Sequence, residues 1–383
     1  MMNSKLSPIL MTDSNDKKKK YFESVVISHP KLNEAFLRAR LTVTEHRTPL
    51  ILLYGPSGVG KSTLLTKLYN SLVCDVINEL HTDHSRIPAI FFESKAAESI
   101  KFSWKDYFKA GLIKLEEPCI DQKIVPPHLS HKVNLNGYHN KETTSALRWA
   151  FESALIHRRP LVCIVDEAQH ISKIPRGSKL LDQMDVLKSI ANITKVPHVL
   201  AGTYELLKFR NKSAQLSNRS IDVHIPRYRA ENQLDLQQFQ ICILSLQDHL
   251  PVHEVNLLEH WEFLYERSIG CVGILKLWLQ RALGMYLTEN KIEFSIDCLE
   301  KTALSITQCS TMAREAREGE LELYETVEDR NFLLNALGIN RKNETTEKES
   351  KNKNNRTKKV GQRNPTRDSC NYKTKKDDID ELD

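Results

Sequence analysis

The sequence predicts an α/β fold, a parallel five-stranded sheet followed by a small helical region, and three observations carry that expectation. The stretch "ILLYGPSGVGKSTLLTKLYN" at 51–70 passes from strand-like apolar residues through a glycine-studded turn into helical spacing. The stretch "LVCIVDEAQHI" at 161–171 stays apolar up to Asp166, as a strand does when both its faces are covered. Strand-like and helical segments alternate up to Pro226, and after it only helical texture remains.

Taken in order, residues 1–30 read as a flexible polar leader, with "KKKK" at 17–20. Leu32, Ala35, Phe36, Ala39 and Val43 recur on one face and predict a helix over 31–46. "LILLY" follows Pro49 as the first strand, and a helix is expected from Gly60 to Val73. A second strand is expected at "AIFFE", 89–93. Between Ser94 and Asn140 the pattern is irregular, broken by Pro118, Pro126 and Pro127, so one helix near 97–112 and then a long loop are expected. Leu147, Ala150, Phe151, Ala154 and Leu155 restore helical spacing before the strand at 161–166. A helix at 177–193, a strand at "HVLAG", a helix near 203–212 and a strand at "SIDVHI" complete the alternation. Beyond it, Ile274, Trp278, Ala282 and Met285 line up on one helix. The organisation expected is therefore a leader (1–30), an α/β nucleotide-binding domain (31–228), a helical domain (229–338) and a disordered charged tail (339–383).

With 383 residues the chain can bury a core without disulfide staples. Its eight cysteines are scattered with no C-x-x-C pair, which reads as reduced, intracellular thiols. No apolar run approaches the roughly 18–20 residues of a membrane span, and no signal core adjoins the N-terminal lysines. A soluble, cytoplasmic protein without membrane partners is expected. The net charge of +6 is concentrated in the tail, where residues 341–376 hold 13 basic against 4 acidic residues. Such a block, nearly devoid of large apolar residues, is expected to stay disordered, as a solubilising extension or as an arm for a partner or DNA.

The candidate chemistry begins at the glycine turn. Gly55, Pro56, Ser57, Gly58, Val59, Gly60, Lys61 and Ser62 match the phosphate-loop pattern in full, with Thr63 continuing into the helix. Glycines let the backbone N–H groups curl toward phosphate oxygens, and the positive end of the following helix adds to them. Lys61 is expected to reach the β- and γ-phosphates of ATP, and Ser62 to ligate Mg²⁺. Asp166, at a strand end, is expected to hold the metal shell, and Glu167 beside it to polarise an attacking water. That carboxylate pair favours a hydrolase over a small-molecule kinase.

"YGPSGVGKSTLL", "VDEAQHIS", "LAGTYELL" and "AQLSNRS", in that order, resemble the AAA+ ATPases of the TniB/TnsC family, the target-selecting regulators of multi-subunit DNA transposons. The resemblance spans about residues 31–310 and overlaps with ExeA-like and Orc/Cdc6-like ATPases. It implies an AAA+ P-loop fold with a five-stranded parallel sheet and a small C-terminal helical lid. It implies that Thr203 senses the γ-phosphate and that Arg219 is an arginine finger reaching a neighbouring subunit's site, with Arg210 and Arg227 as rivals. In the lid, Lys276 stands where a second-sensor arginine often lies. The resemblance further implies a homo-oligomer, ring or helical filament, formed with ATP on duplex DNA without sequence preference, linking a target selector to transposase subunits. Lys95, Lys101, Lys105, Thr143 and Thr144 are the DNA-facing candidates it leaves, all suited to backbone phosphates.

Two other readings are weighed. An Orc/Cdc6-type replication initiator is expected to carry a C-terminal winged-helix domain, for which residues 311–383 read as too few and too polar. An ExeA-like secretion ATPase is expected to add a membrane or wall-binding segment. Cys119, His128, His131 and His139 match no common zinc module in spacing, and "HEVNLLEH" at 253–260 is not H-E-x-x-H.

Overall fold

The structure, a computed structural model, describes residues 13–46, 48–95, 102–123, 143–172, 180–207, 220–252, 255–289 and 294–339. Two compact units divide the chain, Met1–Tyr324 and Glu325–Asp383. The first opens with helices α1 (Asn15–Ser24) and α2 (Pro30–Leu41), then strand β1 (Leu50–Tyr54). Helices α3 (Lys61–Asp75) and α4 (Ile77–Leu80) lead to β2 (Ile90–Glu93). Helices α5 (Trp104–Lys114) and α6 (Thr144–Arg158) precede β3 (Cys163–Asp166). Helix α7 (Leu180–Thr194) is followed by β4 (His198–Gly202) and β5 (Ser220–His224). Then come α8 (Gln233–Gln247), α9 (Trp261–Ser268), α10 (Val272–Thr288), α11 (Ile296–Thr302) and α12 (Ile306–Leu321). In the second unit, α13 (Val327–Ala336) starts at a capping box made by Thr326 and Asp329.

The five strands are all parallel, in the order β2-β3-β4-β1-β5. Their alternation explains the unbroken apolar runs. On one face Leu50, Leu52, Val165 and Leu200 pack with Phe108, Phe151 and Leu187 from α5, α6 and α7. On the other Ile51, Leu53, Ile164, Val199 and Val223 pack with Leu64, Leu68 and Leu72 of α3. Successive side chains of a strand point to opposite faces, so a sheet covered on both needs apolar residues at every position. Each such buried side chain contributes roughly 1.5–3 kcal/mol. The register sets Tyr54 opposite Gly202 and His224, so β1, β4 and β5 finish level and their outgoing turns share one edge. The helices after β5 have a core of their own around Phe239, Ile243, Leu275, Trp278 and Leu279.

Several expectations are corrected. The leader contains a packed helix: Phe22 of α1 is fully buried in the helical core, and Asn15 Nδ2 donates to Leu287 O at 2.9 Å. The lysines that make this segment look solvated lie ahead of Tyr21, Phe22 and Val25, which supply the docking face. The helix expected over 31–46 ends at Leu41 and continues as a π turn, Thr42–His46. The helix near 97–112 starts at Trp104, where the Ser103 side chain accepts from Asp106 N. Of the helix expected near 203–212, the described residues show a 3₁₀ turn, Tyr204–Leu206, leading into a helical Leu207, and residues 208–212 lie outside the described residues. Arg210, Arg219, Lys101, His128, His131, His139 and the tail from 340 onward lie outside the described residues. Among the described residues no helix is long and apolar enough to cross a membrane, and no cluster of His, Cys, Asp and Glu is placed to hold a metal.

Candidate nucleotide site

Tyr54 ends β1 between β4 and β5, and the chain turns through Gly55–Gly60 into α3. A Cβ on Gly55 would lie 2.3 Å from Ile225 O, so the loop sits against the end of β5 only because that residue has no side chain. Gly60 takes φ 106° and caps α3 without any side-chain bond to its first turn. The helix therefore presents unclaimed N–H groups at its positive end, the arrangement that receives phosphate oxygens. Lys61 is buried, and its Nζ donates to Gly55 O at 3.0 Å and Pro56 O at 2.9 Å. Burial pulls the Lys61 pKa down, and the nearby Glu167 and Asp166 carboxylates oppose that pull.

Ser62 Oγ donates to Asp166 Oδ2 at 2.7 Å. A hydroxyl and a carboxylate in contact beside a phosphate loop form a pair of hard oxygen donors of the kind Mg²⁺ takes, so these residues fit the expected metal. Glu167 N donates to Asp166 Oδ1 at 2.9 Å, and Glu167 itself has φ 52°, in the left-handed region. That turn takes the chain off β3 directly after the metal-ligand candidate.

The side chain next engaged is one that the sequence reading passes over. Gln169 is buried, and its Nε2 donates to Glu167 Oε2. Its Oε1 accepts the backbone N–H of Thr203 at 3.3 Å. A Cβ on Gly202 would stand 2.1 Å from that Oε1, so a glycine at the end of β4 makes room for the amide. In the sequence Gln169 serves only as part of the family-like "DEAQH". The available signal is an amide between Ala168 and His170, just after the Asp-Glu pair.

Thr203 lines a cavity of about 480 Å³ together with Pro56, Ser57, Gln169 and Gly319, so the structure brings it to the loop's open side. Lys276 lies beside Val59, Gly60 and Thr63, but its Nζ donates to Glu23 O at 2.8 Å, at the end of α1. Arg227, a rival for the finger, is engaged within its own chain. Its Nε donates to Glu320 Oε1 at 2.8 Å and its Nη2 to Oε2 at 3.2 Å. Arg229 Nη2 joins the same carboxylate at 3.2 Å. Of the DNA-facing candidates, Lys95 is exposed just past β2, and Lys105 lies in the first turn of α5. Thr143 and Thr144 share the start of α6, where the Thr143 hydroxyl already accepts from Ala146 N at 3.1 Å as the helix cap.

A glycine loop opening a helix at the end of an interior parallel strand, with an Asp-Glu pair at the end of the next strand but one and helices after the sheet, defines an AAA+ P-loop fold. Residues 44–209 match the family model described as an AAA domain. Among solved structures, the ORC2 protein of Aeropyrum pernix in ADPNP-ADP complexes superposes with a TM-score of 0.51 at 16% identity, over 75% of this chain and 72% of that one. The ORC1 protein of the same organism in complex with DNA superposes with a TM-score of 0.50 at 13% identity, over 74% of this chain and 68% of that one. At these identities the likeness is one of fold. A comparison with curated proteins gives no match.

Proposed function

We propose that this chain is an Mg²⁺-dependent ATPase that works as an assembly switch on duplex DNA. The observation that supports the chemistry is the meeting of Lys61, the Ser62–Asp166 pair, Glu167 and Thr203 at one edge of the sheet. Lys61 and the loop N–H groups hold the β- and γ-phosphates, Glu167 orients and polarises a water, and Thr203 senses the terminal phosphate. A divalent cation between Ser62 and Asp166 would neutralise charge on the phosphate oxygens. Arg219 from a second copy completes the site, so nucleotide occupancy controls growth of a ring or filament.

In this reading the output is recruitment of a transposase to a target marked by a selector protein, with Lys95, Lys101, Lys105, Thr143 and Thr144 on the DNA backbone. It is supported by the ordered motifs "YGPSGVGKSTLL", "VDEAQHIS" and "LAGTYELL". A second reading, an Orc/Cdc6-like initiator or loader, is equally supported, by the fold likeness to the two ORC proteins. Electron microscopy with duplex DNA and a non-hydrolysable ATP analogue tests the shared core. Wild type should form rings or spirals on the duplex, and Lys61→Ala should lose both nucleotide binding and assembly. Assemblies of normal length from Lys61→Ala would refute the switch. Co-sedimentation of ATP-bound assemblies with a transposase from the same genome decides between the two outputs.

A further inference from the structure

Gln169 does two things at once. Its amide nitrogen holds one oxygen of the Glu167 carboxylate, and its amide oxygen holds the N–H that follows β4, at Thr203. It does so from a buried position, in a space that exists because residue 202 has no side chain. Ser172 Oγ donates to Gln169 O at 2.6 Å and ties the backbone of the same turn. A buried amide with both ends satisfied by functional neighbours cannot rotate without breaking one of two bonds. The Glu167 carboxylate is thereby mechanically linked to the residue expected to touch the terminal phosphate.

We infer that Gln169 is a positioning residue that couples the γ-phosphate position at Thr203 to the orientation of Glu167. The inference rests on the ATPase reading above and deepens it. A shift of the Thr203 backbone on meeting a γ-phosphate pulls the amide oxygen, and the amide nitrogen carries that shift to the carboxylate. Turnover then depends on whether a triphosphate or a diphosphate sits in the loop, while the binding of either does not depend on Gln169. Both ends of its amide are held by protein groups, and its effect on turnover runs through Glu167.

The test is a four-protein cycle: wild type, Gln169→Met, Glu167→Gln and the double variant, each measured for ATP turnover, affinity for a fluorescent ATP analogue, and melting temperature. Met keeps the length of the side chain and removes both polar ends. Gln169→Met should lower kcat about 10- to 100-fold, the scale of a misplaced catalytic group, with affinity nearly unchanged and a melting temperature lowered only by the loss of the two amide bonds. On the Glu167→Gln background it should cost nothing more, because the carboxylate it positions is gone. Unchanged turnover in Gln169→Met, or losses that multiply in the double variant, would overturn the inference. If Gln169→Met does not fold, Gln169→Asn keeps the polarity but is too short to reach both partners, and should show the same split. Absence of ATP turnover in wild type would instead overturn the ATPase reading, and full-speed turnover by Glu167→Gln would remove Glu167 as the water-activating residue, so the failures are told apart.

Discussion

The two sides of the phosphate loop are built differently. On the sheet side, Ser62, Asp166, Glu167 and Gln169 form a chain of hydrogen bonds close to strand ends, and Lys61 bonds back to the loop carbonyls of Gly55 and Pro56. On the helical side, contact is made by shape and by one ion-pair cluster. A Cβ on Gly273 of α10 would lie 2.4 Å from Gly58 O, and one on Gly319 of α12 would lie 2.1 Å from Tyr204 Cγ. Glu320, next along α12, takes both Arg227 and Arg229. Chemistry is thus assembled from two short motifs joined by hydrogen bonds at strand ends, whereas closure of the site rests on packing and ion pairs supplied by the helices. The two halves should fail separately.

The largest effect tests that separation at the ion pairs. The Glu320 side chain is only 5% exposed, and removing it leaves the Arg227 guanidinium, 13% exposed, without its partner. Loss of one partner of a buried pair costs on the order of 3–5 kcal/mol. Glu320→Ala should therefore lower the midpoint of denaturant unfolding strongly, while the protein that remains folded binds a fluorescent ATP analogue nearly as well as wild type. Parallel loss of nucleotide affinity in the folded fraction would break the comparison and make α12 part of the phosphate grip.

The same division explains what could be read from the sequence. Gly55, Gly60, Lys61, Ser62, Asp166 and Glu167 were legible because backbone conformation and chemistry constrain a short local pattern, and the strand "HVLAG" was legible because both of its faces are covered. The packed helix α1 was not, since its four lysines dominate the composition while Phe22 alone is fully buried. Gln169 escaped because its partner at Thr203 follows the end of β4 whereas Gln169 follows β3, and sequence spacing does not reveal which strands are neighbours. Glu320 had no signal at all: an acid in the helical run "REAREGEL" looks solvated until Arg227 and Arg229 are seen to meet it.

A smaller effect comes from Gly319. In an exposed helix, Gly→Ala stabilises by up to about 1 kcal/mol through helix propensity. Here the new methyl would meet the rigid Tyr204 ring at 2.1 Å, and such overpacking costs about 1–3 kcal/mol. Gly319→Ala should thus be net destabilising, and its cost should shrink on a Tyr204→Ala background, where the ring atoms the methyl meets are gone. A stabilised Gly319→Ala variant would mean that α12 is not seated on Tyr204 in solution, and the helical side of the comparison would dissolve.

The smallest effect lies beneath Tyr204. His224 Nε2 meets Tyr204 Oη at 2.9 Å, and the imidazole stacks on Tyr54 with ring centroids 5.5 Å apart. Burial, then the charges of Lys31 and Arg229, push the His224 pKa down from 6.5 to about 4. Between those values the unfolded chain binds a proton that the folded chain refuses, so stability is complete above pH 6.5 and declines as pH falls toward 4. Because the ring is only partly buried, its share is about 1 kcal/mol after allowing for solvent screening. His29 and His198 are pushed down to about 4 by burial as well, so wild type loses more than this one share. The measurement is therefore a difference: stability curves of wild type and His224→Gln from pH 7 to pH 4, which should converge as the pH falls, since only wild type spends free energy keeping residue 224 uncharged. Curves that stay parallel would show that His224 takes up its proton in the folded protein, and that the layer beneath Tyr204 is as open to water as the cavity above it.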